Sequence, residues 1–175
     1  MPHLKNLKKI LTEEVIIKSE FLSEKGKDNS GNDFSMRRNI RSHKGIDYLL
    51  FRLDPDKIKP FPYFNKDIGL SKICDYIMFV QKSNSLFVIL IELKLGKDSA
   101  TEQLFASEEF SKFIINSCKR VGFILTEDIQ YKKVKISESA LTRPKTAEEM
   151  CKIDENNIIH YNHKNEFQIM EILHL

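Results

Sequence analysis

The stretch CDYIMFVQKSNSLFVILIELKLG, Cys74 to Gly96, decides the fold. From Leu86 to Ile91 it is apolar on consecutive residues, the pattern of a strand covered on both faces. The polar QKSNS in its middle reads as a turn between two strands, roughly 73–80 and 86–94, so the stretch predicts a β-hairpin. Into this oily sequence come Asp75, Glu92 and Lys94. A carboxylate buried without a partner either costs several kcal/mol or takes up a proton, so such charges are paired or metal-bound.

Residues two apart on a strand share a face, which puts Glu92 and Lys94 together. With a four-residue loop Lys82–Ser85, Gln81 pairs with Leu86 and Asp75 falls opposite Glu92. Directly opposed side chains start ~4.5 to 5.5 Å apart, close enough to share one ion. A loop of three or five residues would break the match, because a one-residue slip moves every side chain to the other face. Two carboxylates and an ammonium suit phosphodiester hydrolysis. The acids hold Mg²⁺, and the lysine orients a water or offsets developing negative charge. The structural alternative is a salt-bridge cluster at a strand end.

Working outward, the N-terminal HLKNLKKILTEEV carries Leu4, Leu7, Leu11 and Val15 on one helical stripe, with Glu14 continuing it. VIIKSEFL and GIDYLLFRL are strand-like, separated by the polar SEKGKDNSGND, which reads as a turn or loop. Ser99 and Glu102 form a capping-box start for a helix through TEQLFASEEFSKFIINSC. On that helix Gln103 shares a face with Ala106, Phe110, Ile114 and Ser117. RVGFILTED reads as a short buried strand, a helix is expected after Pro144, and NNIIHYN with EFQIMEIL predicts a C-terminal hairpin.

At Asp75 and Glu92-Leu93-Lys94 the chain resembles the PD-(D/E)XK nuclease superfamily. That resemblance implies the restriction-endonuclease-like α/β fold, an αβββαβ core with a mixed central sheet flanked by helices. The core spans about 4–125, with an insertion within 15–60 and an extension over 126–175 that ends in the extra C-terminal β-hairpin. It also implies that Asp75, Glu92 and the Leu93 carbonyl hold Mg²⁺ or Mn²⁺, that Lys94 is catalytic, and that Glu14 and Gln103 support the site. Gln103 matches a glutamine of the lambda-exonuclease and RecB-like groups, although Ser107 stands where those groups carry tyrosine. Cys74 precedes the aspartate in place of proline. A literal Pro55-Asp56 lies upstream in a proline-broken stretch, where nothing sets its register against Glu92.

The basic run MRRNIRSHK offers Arg37, Arg38 and Arg41 to a nucleic-acid backbone, and Lys72 and Lys97 flank the carboxylates. The resemblance implies a nucleic-acid partner, DNA before RNA, cut by a nuclease of a defence or repair system, as a homodimer or in a larger complex; a solvated basic stretch is the plainer reading of the run itself. The alternative is a nuclease-fold module that binds nucleic acid or protein without cutting.

Composition sets the remaining bounds. A chain of 175 residues with 41% hydrophobic and 30% charged content is one domain's worth. It holds no apolar run of the ~18 residues that span a bilayer. Three scattered cysteines fit reduced thiols, and the N-terminus lacks a signal-peptide pattern, so the expectation is a cytoplasmic protein. A net charge of +3 permits nucleic-acid contact without demanding it.

Overall fold

The computed structural model describes residues 2–27, 31, 33–53, 72–95, 99–123, 126–138, 151–162 and 165–175. Among these the elements are α1 (Pro2–Ile10), β1 (Ile16–Ile17), β2 (Phe21–Lys27), β3 (Asp33–Arg41), β4 (Ile46–Phe51), β5 (Tyr76–Lys82), β6 (Ser85–Leu95), α2 (Thr101–Arg120), β7 (Ile129–Glu138), β8 (Cys151–Ile153), β9 (Ile158–Tyr161), β10 (Glu166–Gln168) and α3 (Ile169–His174).

The fold is α/β. A mixed seven-stranded sheet runs β1-β4-β5-β6-β7-β9-β8, and a three-stranded sheet runs β10-β3-β2. β4, β5 and β6 form an antiparallel meander, and α2 then carries the chain over to β7, which lies parallel to β6. The apolar run Leu86–Ile91 alternates between two cores, as the double-sided reading requires. Phe87, Ile89, Ile91 and Leu93 pack toward Leu22, Met36 and Ile40 of the small sheet and Ile172 of α3. Leu86, Val88 and Leu90 pack toward Leu4 and Leu7 of α1 and Leu104, Ile114 and Cys118 of α2. Each such fully buried Leu or Ile contributes ~1.5–3 kcal/mol.

The hairpin register is the expected one. Gln81 lies opposite Leu86, and Lys82 opposite Ser85 closes a two-residue turn at Ser83 and Asn84, tighter than a four-residue loop but in the same register. Ser83 takes up the left-handed backbone that such a turn demands, with φ 54°.

Other expectations are corrected. α1 ends at Ile10, and Thr12 is extended before a 3₁₀ turn over Glu13–Val15, so the helical stripe does not reach Glu14. Much of SEKGKDNSGND is strand: β2 and β3 form a hairpin that belongs to the second sheet. After α2, Val121 and Gly122 complete the helix-ending turn, and the strand parallel to β6 is Ile129–Glu138 rather than one beginning at Arg120. The C-terminal hairpin pairs differently from the expected one. Ile158–Tyr161 pairs with Cys151–Ile153, Glu166–Gln168 joins β3 in the other sheet, and Ile169–His174 is helical. The helix expected after Pro144 falls on 145–150, outside the described residues.

Candidate functional site

Three strand ends converge at one end of the large sheet: β4 stops at Phe51, β5 starts at Tyr76, and β6 leaves for α2. Counting on from Tyr76 opposite Ile91 sets Asp75 opposite Glu92. Here the ladder gives way to side chains. The Leu93 N–H donates to Asp75 Oδ2 at 2.7 Å, and the Asp75 N–H donates to Glu92 Oε2 at 3.1 Å. Each carboxylate thus holds a backbone donor of the facing strand.

The Cys74 N–H, which one further rung would turn toward the Leu93 carbonyl, instead donates to Ser107 Oγ at 2.8 Å. Ser107, fully buried on α2, donates its own proton to the Gln103 carbonyl at 2.7 Å. The helix therefore fixes the strand start that carries Asp75, and Ser107 is a working part of the site that sequence reasoning registered only as a departure. Ser107→Ala should leave the buried Cys74 N–H without an acceptor, at a cost of ~1–3 kcal/mol. Chemical denaturation would measure it, and an unchanged midpoint would remove Ser107 from this role.

Lys94 Nζ lies 2.8 Å from Glu92 Oε1, with the side chains 20% and 6% exposed. Burial, and then the charge of Asp75, push the Glu92 carboxyl up to about 7 against the pull of Lys94. Burial also raises Asp75, opposed by the Leu93 N–H and by the charges of Arg52 and Lys94. Raised carboxyls of this kind favour the protonated form in the absence of a compensating positive charge.

Two further residues belong to this end of the sheet, and sequence reasoning missed both. Glu24, on β2, is raised first by burial and then by the charge of Asp75, with Arg52 and Lys94 opposing. Arg52, just past β4, stands 3.6 Å from Glu24 Oε2. Tyr76 brings the two sheets together here: its hydroxyl donates to the Ser23 carbonyl at 2.8 Å and accepts from the Ser23 N–H at 3.0 Å. The signal that could have found Glu24 is its place on the inward face of β2, two residues after the buried Leu22.

The other expected site residues are placed as follows. Glu14 is exposed in its 3₁₀ turn, and its charge is not among those that shift Asp75 or Glu92. Gln103 is half-buried, at the margin of the Leu104, Ser107 and Ser111 stripe, and its side chain makes no hydrogen bond to either carboxylate among the described residues. Lys72 is exposed, 3.8 Å from Glu102. Lys97 and Asp56 lie outside the described residues.

Met36–Arg41 of the basic run lies in strand β3. Arg38 is buried beside Met36 and Ile40, and its Nη1 donates to the Arg37 carbonyl. Arg37 lies over the Phe21 ring at 3.9 Å, and Arg41 pairs with Glu166 at 2.8 Å. Arg37 and Arg41, with Lys18 and Tyr48, line an open cleft of about 730 Å³.

Among the described residues no cluster of three or more His, Cys, Asp or Glu is arranged to hold a metal. A Mg²⁺-type ion needs no such cage, since it is usually held by one or two carboxylates with waters and substrate phosphate completing the octahedron. Asp75 and Glu92, two hard oxygen donors on facing strands, fit that ion. No family model, curated protein or solved structure matches this chain, and none of its described helices is long and apolar enough to cross a membrane.

Proposed function

We propose that the chain is a metal-dependent nuclease of the PD-(D/E)XK type, hydrolysing phosphodiester bonds in DNA before RNA, and serving in a defence or repair system. The observation that carries the reading is the clasp of Asp75 and Glu92 beside Lys94, set where the ladder between β5 and β6 ends. The order of elements supports it once β1, β2 and β3 are set aside as inserted between α1 and β4: a helix, a three-stranded antiparallel meander, a crossover helix, and a strand parallel to the third, as in the restriction-endonuclease-like core.

Asp75, Glu92 and the Leu93 carbonyl would hold Mg²⁺ or Mn²⁺. The N–H and C=O of one strand residue point to the same side, so the Leu93 carbonyl faces the strand of Asp75, as its N–H does. A bound ion supplies a polarised phosphate and a water of lowered pKa. Lys94 orients the attacking water and offsets negative charge in the transition state. A bound ion would favour the ionised forms of Asp75 and Glu92, and Ser107 holds the strand start that presents Asp75. The arginine-bearing cleft of β2 and β3 offers the path for the rest of the nucleic acid.

The test is direct. Purified protein is incubated with linear and circular duplex DNA, single-stranded DNA and RNA, with Mg²⁺, Mn²⁺ or EDTA. Cleavage with either ion, abolished by EDTA and by Glu92→Gln, is the expected result. Absence of cutting on every substrate would sink the proposal.

A further inference from the structure

Arg52 has the attributes of a phosphate-binding group held in waiting. Its backbone is fixed, because its N–H donates to the Val15 carbonyl at 2.9 Å. Its guanidinium lies 5.2 Å from the centre of the Tyr76 ring, and Tyr76 is locked by both backbone groups of Ser23. The head group is 3.6 Å from Glu24 Oε2, an ion pair too long for a hydrogen bond, and Arg52 remains 39% exposed at the side chain. Glu24 Oε2, for its part, is buried with no hydrogen-bond partner. Where an arginine pair does close in this protein, at Arg41, both Nε and Nη2 reach one oxygen of Glu166, at 2.9 and 2.8 Å. The Arg52 pair stays loose, with its charges felt at Asp75.

We infer that Arg52 binds a backbone phosphate of the nucleic-acid substrate next to the Asp75 and Glu92 centre, and that Glu24 is the internal anion this phosphate displaces. The inference rests on the nuclease reading and adds to it the group that seats the phosphate. Guanidinium geometry matches phosphate in a planar fork, and the five N–H donors of Arg52 are not satisfied by one distant carboxylate oxygen. Glu24, set on the inserted hairpin, keeps a positive charge from standing alone in a half-buried site until a substrate arrives. It also competes with that substrate, so its removal tightens binding while removal of Arg52 weakens it.

Opposite signs make the test selective. A labelled DNA duplex and an RNA of equal length are titrated by anisotropy, with Ca²⁺ replacing Mg²⁺ to slow hydrolysis, over a series of salt concentrations. Wild type, Arg52→Gln, Arg52→Lys and Glu24→Gln are compared, each checked for fold by circular dichroism. Arg52→Gln is expected to weaken binding about tenfold and to flatten the salt slope by roughly 0.9, the signature of one lost phosphate contact. Arg52→Lys should keep the slope but lose part of the affinity, and Glu24→Gln should bind severalfold tighter than wild type. With Mg²⁺, Arg52→Gln should raise KM more than it lowers kcat. A merely structural pair predicts that Glu24→Gln and Arg52→Gln weaken binding alike, and that result would overturn the inference, as would unchanged Kd and slope in both. If the wild type binds but cuts nothing, the nuclease reading falls, while the opposite shifts of the two variants still decide the role of Arg52. A wild type that binds neither probe overturns both.

Discussion

Lys94→Ala is expected to lower cleavage by ~10²–10⁴-fold while the protein keeps its fold and its affinity for nucleic acid. The lysine is proposed to act on the water and the transition state, so its loss falls on the chemical step and not on ground-state binding. The rival is that Lys94 only neutralises Glu92, 2.8 Å away. Removing one partner of a buried ion pair typically costs ~3–5 kcal/mol. Here that penalty has an outlet, because the Glu92 carboxyl, already pushed up to about 7, can take up a proton when the ammonium is gone. Thermal melts of both proteins with and without Mg²⁺, run beside the cleavage assay, separate the two. If Lys94→Ala melts far below wild type at pH 8, where Glu92 is ionised, Mg²⁺ stabilises neither, and wild type cuts nothing, the cluster is structural only.

The second large effect is on stability against pH. Glu92 has a folded pKa of about 7 against 4.5 for an unperturbed glutamate. Below 4.5 the carboxyl is protonated in both states and its burial carries no charge penalty. As pH rises from 4.5 toward 7, the unfolded chain gives up its proton and the folded chain keeps it. Stability therefore falls through that window, by on the order of 3 kcal/mol, and then levels off. Asp75, also raised by burial, adds to the fall. On the proposed function Mg²⁺ would reverse the trend by favouring the ionised pair, so stabilisation by Mg²⁺ should be small at pH 5 and large at pH 8. Denaturant midpoints at pH 5, 6, 7 and 8, with Mg²⁺ or EDTA, would show it. A metal-free protein more stable at pH 8 than at pH 5, with no response to Mg²⁺, would contradict the assignment. Glu92→Gln should flatten both curves.

The parts legible in the sequence were those governed by local periodicity. The pairing of Asp75 with Glu92 follows from the place of the turn, because β5 and β6 are buried on both faces and the loop length sets their register. Long-range pairing hid the rest. Glu24 sits in a polar stretch that reads as a loop, and only the second sheet makes it a strand. β7 carries three lysines, which weakened its strand signal against the oilier segment just before it. Its inward residues, Val134 and Ile136, alternate as they should, and the flanking pairs with β6 and β9 supply what propensity did not. Glu14 was placed by extending a helical stripe beyond its last turn, where the backbone at Thr12 had already turned extended.

The small sheet is completed by residues from opposite ends of the described chain: β10 joins β3 with Glu166 beside Asn39 and Gln168 beside Arg41. Such a pairing closes a very long loop, and non-local contacts of this kind form late, because chain entropy is lost before they return anything. The β5–β6 hairpin that sets Asp75 against Glu92 is local and forms early. The two acids would thus be assembled while the strand carrying Glu24 was still seeking its last neighbour, and the complete site would ripen only when the far segment docked. Pulse-labelling hydrogen exchange during refolding should protect amides of β5 and β6 before those of β3, and simultaneous protection would mean that the two sheets condense as one unit.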